Sequence, residues 1–157
     1  MKAAIIGTGA VAGHHARAIA QTEGIELAGV TSRTLEKAEA MAAQFGGRVY
    51  PNADSLLADP AIDLVIICTY PDSHNQYAVA AARQGKHVLV EKPLDLSLEL
   101  ARNTVEECRK AGVTLAIVSQ KRFSDGPRFL RDAVQSGKLG KILEADAYVK
   151  WYREPAY

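Results

Sequence analysis

Two stretches of this 157-residue chain have residue types and spacing that could do chemistry. The first is Gly7-Thr8-Gly9-Ala10-Val11-Ala12, a G-x-G-x-x-A run set between an apolar strand, 2–6, and a segment whose Ala12, His15, Ala16 and Ile19 recur at helical spacing. Gly7 permits a tight turn, and Gly9, without a Cβ, lets a pyrophosphate approach the backbone; Ala12 is small enough for a helix to pack closely on the strand. The unpaired N–H groups and positive dipole end of that helix then face phosphate, with Thr8, Ala10 and Val11 completing the cradle. The second stretch is Ser32-Arg33-Thr34, at the end of the next apolar strand, 25–31. A carboxylate there would bind the ribose hydroxyls of NAD and repel a 2′-phosphate. A serine hydroxyl and an arginine guanidinium would accept that phosphate, the latter with bidentate geometry. The pair therefore points to NADP in preference to NAD, or to use of both. The competing reading is that Arg33 only stacks on adenine while Thr34 caps the following helix.

These stretches need elements to position them. Strands are expected near 2–6, 25–31, 48–50, 64–68, 87–91 and 114–118. Most are short continuous apolar runs, as in Leu64-Val65-Ile66-Ile67-Cys68, which suits parallel strands covered on both faces. Helices fall between them. One starts after Thr34, is expected to bury Leu35, Ala38, Ala42 and Phe45, and stops at Gly46; another stops at Gly85. The longest, about 97–111, places Leu98, Ala101, Val105 and Cys108 on one stripe and closes with Arg109-Lys110 and Gly112. Alternating units of this length predict an α/β fold, a Rossmann-type doubly wound parallel sheet with ligands at the carboxyl ends of its strands.

Composition narrows the function classes. A chain that is 48% hydrophobic and 24% charged is that of a soluble globular domain. A net charge of +1 with scattered Lys and Arg gives no electrostatic case for nucleic acid, and no apolar run reaches the length of a membrane span. The first strand begins at once, so no signal peptide is expected. Cys68 and Cys108 read as core thiols of a cytoplasmic protein, and no zinc-ligand spacing is present.

The last forty residues or so read differently. After a helix over 126–136, the run Ile142 to Trp151 alternates strictly, with Leu143, Ala145, Ala147, Val149 and Trp151 facing one way and Glu144, Asp146, Tyr148 and Lys150 the other. Such alternation belongs to an antiparallel sheet with one wet face. The pattern predicts a strand at 142–151 without a partner. The expected organisation is therefore a dinucleotide-binding domain, 1–120, followed by residues 121–157 as a connecting helix and the first strand of a second, missing domain.

Three segments carry a family resemblance: Gly7–Gly13, Thr69-Tyr70-Pro71-Asp72-Ser73-His74, and Val90-Glu91-Lys92-Pro93. In order and spacing they resemble the Gfo/Idh/MocA oxidoreductases, with Glu-Lys-Pro the specific part. Gln120-Lys121-Arg122-Phe123, Gly137-Lys138-Leu139-Gly140 and Trp151-Tyr152-Arg153 extend the similarity along the chain. The resemblance implies hydride transfer between a nicotinamide and a hydroxyl-bearing carbon of a sugar, sugar derivative or cyclitol. It implies Lys92 as the catalytic-site lysine, where an ammonium would stabilise developing alkoxide charge. It also implies a cis bond before Pro93, Glu91 holding the loop or contacting ribose, and cofactor contacts from Thr69, Tyr70, Pro71, Gln120, Trp151 and Arg153. His74 is open between structural capping and ribose contact; His15 and His87 read as structural. The family's histidine proton acceptor, expected on the second domain, has no counterpart here. Homo-oligomers would form through that domain or through the strand at 142–151. The alternative function is a non-catalytic NAD(P)-binding regulatory or scaffold module.

Overall fold

The computed structural model describes residues 1–155, which form two compact units, one over Met1–Val118 and a second from Ser119 onward. In the first unit, strands β1 (Lys2–Ile6), β2 (Glu26–Thr31), β3 (Arg48–Val49), β4 (Leu64–Ile67), β5 (His87–Val90) and β6 (Leu115–Ile117) make one sheet. All its ladders are parallel, in the order β3-β2-β1-β4-β5-β6. Between them run helices α1 (Ala12–Ala20), α2 (Leu35–Phe45), α3 (Ala53–Leu57), α4 (His74–Arg83) and α5 (Leu98–Lys110). The doubly wound fold read from the sequence is present.

Strand alternation divides the core into two layers. Ala3, Ile5, Ile66 and Cys68 face a cluster with Ala12, Ala16, Ile19 and Ala38 of α1 and α2. Ala4, Ile6, Val65, Ile67, Val88 and Val90 face a cluster with Ala78, Ala81, Ala82 and Cys108 of α4 and α5. Each fully buried isoleucine of this kind contributes roughly 1.5–3 kcal/mol of transfer free energy. Ala12 and Ala16 have no exposed surface, so α1 lies flush on β1, as the small residues of the glycine run require. Where β1 meets β2 the register shifts between Ala3 and Ala4, and Gly29 gives up a side chain for the Tyr50 ring, which a Cβ would meet at 2.7 Å.

Several expectations are corrected. Leu35 is 48% exposed at the start of α2 rather than buried. On α5 the buried face carries Thr104 and Cys108 with Ala101 beside them, while Leu98 and Val105 are exposed. The rotation follows a polar contact that hydrophobicity does not register: Asn75 Nδ2 of α4 donates to Thr104 Oγ1 at 2.9 Å and to Leu100 O at 3.0 Å. The short helix α3, capped by Asn52 Oδ1 accepting from the Ser55 amide at 2.8 Å, has no counterpart in the sequence reading.

The second unit holds a one-turn 3-10 helix, Gln120–Phe123, and α6 (Asp125–Gln135). Residues 142–151, expected as a strand, form no strand. Alternation supplies two faces but not the facing N–H and C=O groups that make a ladder, and among the described residues none pairs with this segment.

Candidate cofactor and active site

The strand order reverses between β1 and β4: from β1 the chain builds outward through β2 and β3, then returns and builds the other way through β4, β5 and β6. Parallel strands put every carboxyl end on one side, so the loops after β1, β2, β4 and β5 share one rim around that switch point. Those loops contain Gly7–Val11, Ser32–Thr34, Cys68–Ser73 and Glu91–Leu94. The topology thus gathers the first-unit site candidates from stretches distant in sequence.

Gly7 is required as glycine. Its φ is +95°, and a Cβ would lie 2.7 Å from the Cys68 carbonyl oxygen. That contact fixes the turn against the end of β4, with the Gly7 amide donating to Thr31 O at 2.9 Å. The backbone amides of Thr8, Gly9, Ala10 and Val11 donate to no acceptor among the described residues. They lie at the N-terminal end of α1, whose first turn has no acidic side chain, so the donors and the dipole act together on an anion. Cradle and donor set fit a pyrophosphate.

At the end of β2, Thr8 Oγ1 donates to Ser32 Oγ at 2.8 Å, and the Thr34 amide reaches the same oxygen at 3.3 Å. Ser32, not Thr34, therefore serves the amide there; Thr34 makes no side-chain cap of α2. The Arg33 guanidinium lies 5.5 Å from the centroid of the Tyr70 ring, so a cation and an aromatic face from the ends of β2 and β4 meet across the glycine turn. No carboxylate occurs between Thr31 and Leu35.

After β4, Pro71–Ser73 form a 3-10 turn, and Ser73 Oγ lies 2.8 Å from both Thr69 Oγ1 and Tyr70 O. His74, 1% exposed, sits beneath this loop with Nδ1 2.8 Å from Pro93 O and Nε2 3.2 Å from Thr69 O. After β5, Glu91 is 8% exposed; its Oε1 lies 2.8 Å from His15 Nε2 and its Oε2 accepts from the Lys92 amide at 3.1 Å. Lys92 is exposed, and its bond to Pro93 is cis, as the resemblance implies. Cys68 is buried at the end of β4; burial, and then the Glu91 carboxylate, push its thiol up to about 12. It is a packing group and not a nucleophile.

Gln120, Trp151 and Arg153 lie in the second unit. Gln120 opens its 3-10 turn, and the Arg153 guanidinium stacks on Trp151 at 5.3 Å. The sequence reading singled out His15, His74 and Glu91 separately but missed that each histidine reaches the Glu-Lys-Pro loop. Residues 76 positions apart, such as His15 and Glu91, leave no local signal of contact. Their only trace is that each is a polar residue next to an apolar run.

A switch-point crevice with a glycine cradle at the end of the first strand and the start of a helix defines a dinucleotide-binding domain. The model of the family described as "Oxidoreductase family, NAD-binding Rossmann fold" matches residues 1–119, and the chain belongs to this Gfo/Idh/MocA family. It is 33% identical to a 1,5-anhydro-D-fructose reductase of Ensifer adhaerens over 152 residues, 96% of this chain and 46% of that one. It is 34% identical to an inositol 2-dehydrogenase of Pseudomonas savastanoi pv. phaseolicola over 147 residues, 91% of this chain and 44% of that one. Among solved structures, the WlbA dehydrogenase from Bordetella pertussis, in complex with NADH and UDP-GlcNAcA, superposes with a TM-score of 0.86 at 28% identity, covering 90% of this chain and 41% of that one. The chain thus spans less than half the length of these relatives. Among the described residues, no helix is long and apolar enough to cross a membrane.

Proposed function

We propose that residues 1–120 are the cofactor domain of an NADP-preferring oxidoreductase acting on a sugar, sugar derivative or cyclitol. The names of the relatives, a sugar reductase, an inositol dehydrogenase and a structure holding a sugar nucleotide, support the substrate class. The nicotinamide, when bound, supplies a ring carbon that takes or gives a hydride. This chain's residues bind and orient that cofactor, and the resemblance places the histidine proton acceptor on the second domain. Gly7–Val11 hold the pyrophosphate, Ser32 and Arg33 take the 2′-phosphate, and Tyr70 backs Arg33. Thr69, Pro71, His74 and Glu91 are read as further cofactor contacts, direct or through the loops they hold, while Gln120, Trp151 and Arg153 rest on the family resemblance alone. The Lys92 ammonium would sit beside the reacting oxygen and stabilise alkoxide charge as it develops there, the hydroxyl proton passing to that histidine acceptor.

The observation that carries this reading is the Ser32 cluster. Ser32 Oγ is held by Thr8 of the phosphate loop, and the next residue, Arg33, sets its guanidinium over Tyr70 in a segment where an NAD site would carry an acid. Calorimetric titration with NADP⁺ and with NAD⁺ tests it. NADP⁺ is expected to bind tighter, and Arg33→Ala to weaken NADP⁺ roughly 10–100-fold, the worth of a charge-assisted contact, while NAD⁺ changes less than about threefold. Equal losses for both would assign Arg33 to adenine or to the shared diphosphate.

A further inference from the structure

A lysine ammonium is a point charge on a flexible four-carbon stem, so aiming it depends on how firmly its backbone is held. The sheet gives out just before Lys92. The Glu91 amide still reaches Ile67 O of β4 at 3.0 Å, but Lys92 lies past the ladder, and Pro93 has no N–H to give. What holds the loop instead comes from two histidines on two other elements.

On one side, His15 projects from α1, behind the phosphate cradle, and its Nε2 is 2.8 Å from Glu91 Oε1. The other oxygen of the same carboxylate accepts the Lys92 amide at 3.1 Å. Both side chains are mostly buried, 15% and 10% exposed, so the carboxylate depends on these partners in place of water. On the other side, His74 opens α4 beneath the Thr69–Ser73 loop, and its Nδ1 is 2.8 Å from the carbonyl of Pro93. A neutral imidazole has a single N–H. A carbonyl oxygen only accepts, so the 2.8 Å contact to Pro93 O calls for the N–H on Nδ1, with Thr69 O facing Nε2 at 3.2 Å.

We propose that His15 and His74 are positioning residues for Lys92, fixing the backbone immediately before and after it, one from the phosphate-binding helix and one from the β4 loop. This rests on the reading of Lys92 as the group beside the reacting oxygen. It gives the two histidines a role that packing does not require: each ties a dinucleotide-facing loop or helix to the same lysine.

The test uses the intact chain and variants that retain one donor at a time. His74→Asn keeps an N–H near the Nδ1 position, His74→Gln keeps one near Nε2, His15→Gln keeps a donor towards Glu91, and His15→Leu removes it. Exchange of the Lys92 amide is expected to speed up about tenfold or more in His15→Leu and His74→Gln. His15→Gln and His74→Asn should return it to within about threefold of the parent, with amides of β1 and β4 unchanged throughout. Equal exchange in every variant overturns the proposal; so does exchange as fast in His74→Asn as in His74→Gln, or acceleration spread evenly over the sheet. Ring-nitrogen NMR of the unsubstituted chain supplies a measurement free of folding losses. A protonated Nδ1 on His74 supports the brace, and a bare Nδ1 overturns it. Lys92→Met, made in the longer protein that carries the substrate domain, separates the two ideas. Unchanged hydride transfer there removes Lys92 from the chemistry, while the exchange results on this chain still report whether the loop is braced.

Discussion

Residues 1–118 and residues 119–155 follow the same kind of sequence rule and end in opposite states. In the first unit, apolar runs became strands because each found a neighbour: β1 alone pairs with β2 on one side and β4 on the other. In the second, Ala133 is the only described residue that is not exposed, although α6 and the 142–151 run have apolar patterns as clear as any before them. Phe129 is 77% exposed and Leu143 86%. The difference teaches that a hydrophobic pattern states which face could be buried, and the partner decides whether it is. Four predictions set one unit against the other.

The largest effect is chemical. Cys68 has its thiol raised to about 12, first by burial and then by Glu91. At pH 8 its thiolate fraction is on the order of one in ten thousand, against roughly one in four for an ordinary thiol. A cysteine installed at Phe129 in α6 should therefore be alkylated at least about a thousandfold faster than Cys68. Mass spectrometry of a timed iodoacetamide reaction reads both sites in one chain; comparable rates would mean that β4 opens readily to solvent.

Next come two glycines with positive φ. Gly7→Ala meets the Cys68 carbonyl at 2.7 Å with φ at +95° and should cost about 3 kcal/mol or more, with loss of dinucleotide binding. Gly137 has φ +73° but nothing within 4 Å of a built Cβ, so Gly137→Ala should cost about 1 kcal/mol of local strain and leave binding intact. Denaturant melts and calorimetry measure the pair, and equal costs would mean that the turn against β4 can relax.

How much of this was legible in the sequence follows the same line. The sheet, helices α1, α2, α4 and α5 and the glycine cradle were readable because Gly7, Leu64–Cys68 and Gly46 signal locally what they do. The Ser32–Arg33 pair was readable as a candidate because the end of β2 has a fixed position relative to the turn. The α5 face was misread because Thr104 is polar and counts as surface in any hydrophobic pattern, yet it is fully buried under Asn75. The contacts of the two histidines were invisible for a related reason: His74 and Pro93 meet only once β4 and β5 lie side by side. Residues 142–151 show the converse, since their period of two is real and the ladder it anticipates is not formed among the described residues.

A smaller effect tests the packing contrast. Ile67 has no exposed surface and packs between strand and helix layers, so Ile67→Val should cost about 1 kcal/mol. Val134 on α6 is 46% exposed, and Val134→Ala should stay within about 0.5 kcal/mol. Urea midpoints at constant m decide it; a Val134 cost matching that of Ile67 would mean that α6 is buried in solution.

The smallest effect concerns two aspartates. The Tyr50 hydroxyl donates to Asp59 Oδ2 and the Ala61 amide to Oδ1, and these bonds, the first the larger, hold the Asp59 carboxyl below its ordinary range. With the folded value depressed, protonation favours the unfolded chain. The contribution is therefore complete above the unfolded value, about 4, and fades as pH falls through the folded one. The stability gap between the parent and Asp59→Asn should be constant near neutrality and close below about pH 4. Among the described residues the Asp132 carboxylate meets its chain neighbour Arg131, at 2.8 Å on an open surface, so Asp132→Asn should shift stability by less than about 1 kcal/mol at neutral pH. Melts from pH 7 to pH 3 test both. A gap for Asp59→Asn that persists unchanged at pH 3 would place the worth of that residue in packing, and the Tyr50 hydroxyl would then be a bystander to a contact made by shape.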